Sequence, residues 1–354
     1  MNRTVHIVAV GARTPVGLSA ESSAAAVRAG ISRVSVHPFI VNLAGEPLYC
    51  AIDGRLEPER LGSVRVETLL ESALHEVVHK LTRKHALTDI TVPVWLGLPL
   101  PRPGCGAREQ AAILSWLREQ PLPPGGCALT FEPVPEGHAA AFLGTERALH
   151  WLSSGKGELC LVLAGESYID PETLLWFDAQ NRLRSGDARS SFAPGEGAAC
   201  LALASEKTRA RLGLPSLGVV RAVGTAVEPN TLATGKDNLG RGLTQAIALA
   251  TSGLDVDSER ISDVLGDFNG ERHRTEEWGL AALRTQEVFE DVSRCANSTA
   301  EWGDQGAASG ALSLVLAVQA WQRRYAHGRH ALAWGSSDNG LCGACWIEEP
   351  RGGA

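Results

Sequence analysis

The chain has no surplus of positive charge. Its 33 Lys and Arg stand against 40 Asp and Glu, a formal net charge of −7, which argues against a nucleic-acid-binding surface. No apolar run approaches the roughly 20 residues that a membrane-spanning helix needs. The sequence enters a predicted strand at Val5–Val10 with no cleavable signal pattern before it, so the cytoplasm is the expected compartment. Of the eight cysteines only Cys342 and Cys345 have C-x-x-C spacing. With no second such pair a zinc site has no support. Cys160, Cys200 and Cys345 lie in apolar runs and read as small buried hydrophobes. What remains, 44% apolar and 21% charged over 354 residues, is the balance of a globular chain with a sizeable core.

The most informative stretch runs from Leu129 to Ser167. Ala128–Phe131 is short and apolar, and Pro133-Val134-Pro135-Glu136-Gly137 is a turn, because proline fixes φ and glycine permits unusual dihedrals. Ala139–Leu152 carries apolar residues at helical spacing and is rich in alanine, which lets a helix sit deep in a core. Leu159–Ala164 follows as a continuous apolar strand. A residue at the top of such a strand–turn–helix elbow is aimed into a pocket, a place where nucleophilic enzymes keep their nucleophile. His138 occupies it, beside Glu136.

Along the rest of the chain, predicted strands and helices alternate. Val34–Asp53 reads as irregular, with strand-like pieces, Val66–Lys84 as a helix, and Tyr168–Arg189 as a polar surface excursion. After Lys207–Pro215 the plan repeats: Arg221-Ala222-Val223-Gly224-Thr225 echoes Val8-Ala9-Val10-Gly11-Ala12, and Ala311–Arg324 forms a second long helix. A duplicated α/β alternation implies two halves with buried sheets, residues 1–210 and 211–354. The letters H-E-x-x-H occur at His75-Glu76-Val77-Val78-His79, with His85 nearby. The spacing suits a zinc protease, but Val77 and Val78 anchor the apolar face of the helix, and a scaffold helix is the better reading.

Several segments resemble the thiolase superfamily, and within it the β-ketoacyl-acyl-carrier-protein synthases. Gly11-Ala12-Arg13-Thr14-Pro15-Val16-Gly17 is similar to that family's G-x-x-T-P-x-G. Phe192-Ala193-Pro194-Gly195-Glu196-Gly197-Ala198 matches F-x-P-G-E-G-A, with Glu196 expected to be structural. Gly303–Gly310 fits the frame of G-H-x-x-G-A-A-G, and Ile261–Gly270 the strand and turn that carry H-G-T-G. The resemblance spans nearly the whole length. It implies a thiolase-like five-layered αβαβα fold of two pseudo-symmetric halves, usually a homodimer, with no cofactor and no metal.

The resemblance also implies that the catalytic positions have changed. His138 falls where the family has its cysteine, with Glu136 there if the helix is shorter. Asp267 and Asp304 fall on the two histidines, Thr299 near the lysine, and Ser337-Asp338-Asn339-Gly340 on the glycine-rich gate. Condensation needs an activated thiolate and donors where negative charge develops, and an ionised carboxylate is only an acceptor. Three readings follow for His138, Asp267 and Asp304. In the first the chemistry is lost and the protein is an accessory or acyl-binding subunit, similar to chain-length factors, paired with itself or with a ketosynthase. In the second His138, oriented by an aspartate, is the base of an acyl-thioester acyltransferase or hydrolase. In the third the three residues hold a metal, without ligand spacing to support it. The expected partner is an acyl carrier protein or an acyl-CoA thioester. Glu136, Phe268, Asn269, Thr299, Trp302 and Asn339 are the expected lining, with Trp302 or Phe268 as plugs in the accessory reading.

Overall fold

The computed structural model describes residues 4–351 except 84–86, 88–89, 124 and 187; His85 lies outside the described residues. In chain order the first part forms β1 (Val5–Arg13), α1 (Ala20–Arg28), β2 (Val34–Val41), β3 (Pro47–Ala51), α2 (Ser63–Thr82), β4 (Thr91–Gly97), α3 (Ala107–Glu119), β5 (Ala128–Val134), α4 (Ala140–Ser153), β6 (Leu159–Ser167), α5 (Pro171–Asp178), β7 (Glu196–Ser205) and α6 (Glu206–Arg211). The second forms β8 (Gly218–Val227), α7 (Arg241–Thr251), β9 (Asp263–Leu265), α8 (Arg272–Arg284), β10 (Cys295–Ala296), α9 (Thr299–Trp302), α10 (Ser309–Gln322), β11 (His330–Ser336) and β12 (Leu341–Glu348).

The ten strands other than β2 and β3 run in the order β5-β4-β6-β7-β1-β8-β12-β11-β9-β10. Each half-sheet has the same plan read from the middle outward. In the first, β1 and β7 are antiparallel, as are β7 and β6, while β6, β4 and β5 are parallel. In the second, β8, β12 and β11 are successively antiparallel and β11, β9 and β10 parallel. The halves join through the short antiparallel ladder of Val5–Ile7 with Gly218–Val220.

Helices α4 and α10 form the central layer, each in contact with strands of both half-sheets. Helix α2 covers the outer face of the first half-sheet, with α3 against it, and α7 covers that of the second, with α8 against it. This is the expected five-layered αβαβα arrangement. A central helix must approach two sheets at once, which explains the alanine content of α4. Its Ala140, Ala141 and Ala148 are fully buried, and Phe142 fills a slot made by Gly310, Gly335 and Gly343, where any added Cβ would strike its side chain. Strand β6 is buried along its whole length, as a strand covered on both faces requires.

Two expectations needed correction. Val34–Asp53 is largely a hairpin of β2 on β3. Tyr168–Arg189 is not a surface excursion: Tyr168, Leu174, Phe177 and Leu183 are buried in a cluster with Phe192, because α5 turns an aromatic face inward. The H-E-x-x-H helix is scaffold. Glu76 accepts from the backbone N–H of Ala12 (2.9 Å) and of Ala20 and pairs with Lys80, so it ties α2 to the turn after β1.

Glu196 is likewise structural. Its carboxylate, fully buried, accepts from Arg65, from the Asp53 N–H (2.8 Å) and from the Ser167 hydroxyl (2.9 Å). Breaking a buried pair from one side leaves the other charge unmatched, so Glu196→Ala is expected to cost about 3–5 kcal/mol of unfolding free energy. Denaturant titration checks this, and a loss below about 1 kcal/mol would contradict the assigned role.

Candidate active site

The chain leaves β5, turns through Pro135 and Glu136, and enters a single 3₁₀ turn, Gly137–Ala139, before α4. Gly137 has φ of 59°, a left-handed value that disfavours a side chain, and its N–H donates to the Leu98 carbonyl (3.0 Å). The elbow is pinned from the far end of the sequence. Ser337 Oγ donates to the Glu136 carbonyl and accepts from the Ala139 N–H (2.9 Å), and Asn339 Nδ2 donates to Glu136 Oε2 (2.7 Å). His138 is thereby fixed and 6% exposed.

Asp267 follows β9, and Asp304 sits between α9 and the 3₁₀ turn that opens α10. Asp304 is set by the Phe192–Ala198 loop, since its N–H donates to the Ala193 carbonyl (2.8 Å). A side chain at Gly195 would strike the Trp302 and Asp304 carbonyls, which accounts for that glycine.

The structure brings His138, Asp267, Asn269 and Asp304 together. His138 Nε2 lies 2.9 Å from Asp304 Oδ1. The same carboxylate accepts from Asn269 Nδ2 (2.7 Å) and the Gly306 N–H (2.7 Å), with Tyr168 Oη at 3.4 Å. Asp267 does not bond to His138; it accepts from Arg274 Nη1 (2.8 Å). Arg274, 1% exposed, also donates to the Ser336 carbonyl (2.7 Å). Its Nη2 is 3.4 Å from both ring nitrogens of His138 and so is aimed at neither lone pair. Beyond it, Arg182 pairs with Glu271 (2.6 Å) and Asp338 (2.6 Å).

Arg274, Arg182 and Tyr168 were not singled out by sequence, and Glu271 was read only as part of the polar run Asp267–Arg272 that follows a strand at the pocket mouth. The available signal was charge: two aspartates beside a buried histidine need compensating cations, and the run Asp267–Arg272 leads directly to Arg274.

The other expected lining residues lie apart. Phe268 stands edge-on to Trp278 and Trp334, with ring centroids 6.4 and 5.3 Å away. Trp302 is buried in the central core. It lines, with Thr299 and Asp267, a gap of about 20 Å³.

Four carboxylates thus face two arginines and one histidine, and the electrostatics follow. Burial and Arg274 oppose a charge on His138, but Asp267 and Asp304 outweigh them, so its pKa is raised from 6.5. Burial works against the Asp304 anion, yet His138, Arg274 and Asn269 hold its carboxyl far below the usual range. Burial pushes Asp267 up in spite of His138 and Arg274. His273, next to Arg274, is lowered to about 4 by burial first and that cation second. All eight cysteine thiols are pushed up, burial being the largest cause at each; nucleophilic thiols need the reverse.

Access is narrow as well. A groove of about 650 Å³ between residues 231–239 and α8 shares Thr231, Leu232, Asn238 and His273 with a cavity of only about 20 Å³ beside Arg274, Ser336 and Asp338. That is little more than one water occupies. Among the described residues no three His, Cys, Asp or Glu side chains are set to hold a metal ion, and no helix is long and apolar enough to cross a membrane.

No protein-family model matches the chain, and no curated protein matches it. Solved structures do. The ishigamide ketosynthase/chain length factor aligns with a TM-score of 0.78 and 16% identity over 99% of this chain and 100% of that one. The ketosynthase from module 6 of the bacillaene synthase of Bacillus subtilis 168 aligns at 0.77 and 14% identity over 98% and 72%. A chain of the complex of a type II polyketide synthase acyl-carrier protein with its ketosynthase, bound to the hexaketide, aligns at 0.75 and 13% over 99% and 100%. Two half-sheets of one topology, a central helix pair and these alignments together give the chain the thiolase-like fold of the ketosynthases.

Proposed function

We propose that this ketosynthase-fold chain does not condense acyl units and serves as an accessory or acyl-binding subunit in fatty-acid or polyketide-type biosynthesis. One observation carries the reading: the elbow residue is an ion-paired histidine enclosed by Asp304 and Arg274. A condensing site requires a thiolate there, and the chain has no thiol with a lowered pKa. The likeness to a ketosynthase/chain length factor structure supports the same role. Its partners are a ketosynthase, or a second copy of this chain, and an acyl carrier protein or acyl-CoA thioester. Among the described residues no strand pairs with the outer edge of β5, an open edge suited to such a pairing.

The alternative, His138 as the base of an acyltransferase or hydrolase, is less well supported. A base must be neutral with a lone pair free, whereas Asp267 and Asp304 raise the pKa of His138 and its Nε2 lies on Asp304. Rapid-quench intact-mass measurement with acyl-carrier-protein and acyl-CoA thioesters is expected to show no free-thiol release above that of His138→Ala. Release that disappears in this variant would overturn the accessory reading, and a ketosynthase co-purifying with the chain would support it.

The charge state is separately testable. A folded pKa raised above the unfolded value of about 6.5 means that His138 contributes its full stability below that pH. The contribution is lost as pH rises through the raised value. Asp304, held low, contributes above its unfolded value of about 3.9 and loses it as pH falls through the depressed one. Histidine NMR titration is expected to place the His138 midpoint above 6.5. Asp304→Asn is expected to lower that midpoint and to destabilise the fold by about 3–5 kcal/mol.

A further inference from the structure

Strand β5 ends the sheet, and its free edge is not uniform. On the inner side the Ala128 N–H donates to the Ile90 carbonyl (3.1 Å) and the Val134 carbonyl accepts from the Leu98 N–H (3.0 Å). Alternation along the parallel pair with β4 then directs the backbone groups of Ala128, Thr130, Glu132 and Val134 at β4, and those of Leu129, Phe131 and Pro133 outward. Among the described residues no backbone group bonds to these three on the outer side. Such an edge is a template for another strand.

The edge is guarded at one end only. Pro133 has no N–H to offer, and Glu132 beside it is exposed. From Ala128 to Phe131 there is neither charge nor proline. Ala128 and Thr130 are exposed on one face, while Leu129 and Phe131 lie on the other, against the core beneath α2.

A two-fold axis brings two copies of this edge together antiparallel, and the guards restrict where it can pass. Centred on Glu132, it sets two carboxylates opposite each other with Cα atoms about 4.5 Å apart, which is destabilising. Centred on Phe131, it sets Leu129 against Pro133, whose missing N–H leaves the Leu129 carbonyl without a donor. Centred on Leu129, it runs the ladder off the start of the strand. Centred on Thr130, it sets Leu129 of each copy against Phe131 of the other, and both bonds of each such pair close. Thr130 then faces Thr130, a pairing that hydrogen-bonds well, and Glu132 faces the small Ala128.

We propose that this chain pairs with a second copy of itself along β5, with the two-fold axis at Thr130 and the two ten-stranded sheets made continuous. The edge is complementary to itself in that one register. This names the partner that takes the edge, and rests on the accessory reading only for what the dimer serves.

Sedimentation velocity of the full chain at micromolar concentration is expected to give twice the 37.5 kDa of one chain. Under mild oxidation Thr130→Cys is expected to form an inter-chain disulfide, because the close Cα spacing on the axis suits one; the wild type is the blank. Ala128→Cys and Glu132→Cys are each expected to stay unlinked alone and to link when mixed. Ala128→Lys, set opposite Glu132, is expected to tighten the dimer about threefold. Thr130→Lys, which puts two ammonium groups on the axis, is expected to raise its dissociation constant about tenfold. Both positions are exposed, and circular dichroism is expected to show both variants folded. A chain that stays monomeric at high micromolar concentration would overturn the proposal. So would a disulfide formed by Glu132→Cys alone, which places the axis elsewhere, or a dimer indifferent to both lysines, which uses another face. Displacement of the second copy by a co-purifying ketosynthase would overturn the choice of partner. Release of free thiol, which bears on the accessory role, is a separate readout, so either proposal can fail while the other stands.

Discussion

The pairing of His138 with Asp304 is the constraint on which the rest of the site depends. Removing a carboxylate from water costs several kcal/mol even after relaxation (on the order of 20 kcal/mol in the ideal case), and Asp267, Glu271 and Asp304 are all buried within reach of one another. They coexist because Arg274, Arg182 and His138 lie between them. Each member satisfies at least one other, so none can change alone without stranding a charge. A condensing pocket has the opposite design: neutral donors face a negative charge that appears only during reaction. A pocket filled with permanent, mutually compensated charges is already at its electrostatic minimum and has little to offer a developing enolate.

The helices on either side sharpen this contrast. His138 lies in the turn that opens α4, and Asp304 just ahead of the turn that opens α10. Helix N-termini favour anions. That suits a thiolate at the elbow, as it suits Asp304, whose carboxylate takes the Gly306 N–H at the start of α10. It does not suit an imidazolium. The positive end of α4, burial and Arg274 all oppose the charge on His138, and Asp267 and Asp304 prevail over them.

What the sequence disclosed follows from what local patterns can carry. The alanine-rich helix 140–153, the strand at Leu159 and the loop at Phe192–Ala198 announce themselves through periodicity and glycine placement, and with them comes His138; Asp267 and Asp304 came from the family resemblance. Arg274 could not be found in that way. It lies in a strongly polar helix whose buried face joins Arg274 and Glu277 to Trp278, Ala281 and Ala282; those apolar residues mark the inward side of the later turns only, and the first turn, where Arg274 sits, carries none. Arg182 was hidden for a similar reason. Its segment reads as polar, yet the guanidinium lies 5.1 and 5.7 Å from the Phe177 and Phe192 ring centroids, and Glu271 and Asp338, its ion partners, come from about 90 and 156 residues further along. Burial of a cation is a tertiary fact, written in the partners and not in the neighbours.

The network also has a mechanical consequence. The half-sheets meet through only a short ladder, Val5–Ile7 with Gly218–Val220, and otherwise through the central helices. The ion pairs cross the same seam. His138 and Arg182 come from the first part of the chain, while Asp304, Glu271, Asp338 and Arg274 come from the second. Apolar side chains of equal volume would fill the space at similar or lower free-energy cost, but they pack in many ways, whereas bidentate arginine–carboxylate pairs accept few orientations. The two halves, and the surfaces they present, are thereby held at one angle. Directed charges supply that where the loops of both halves converge.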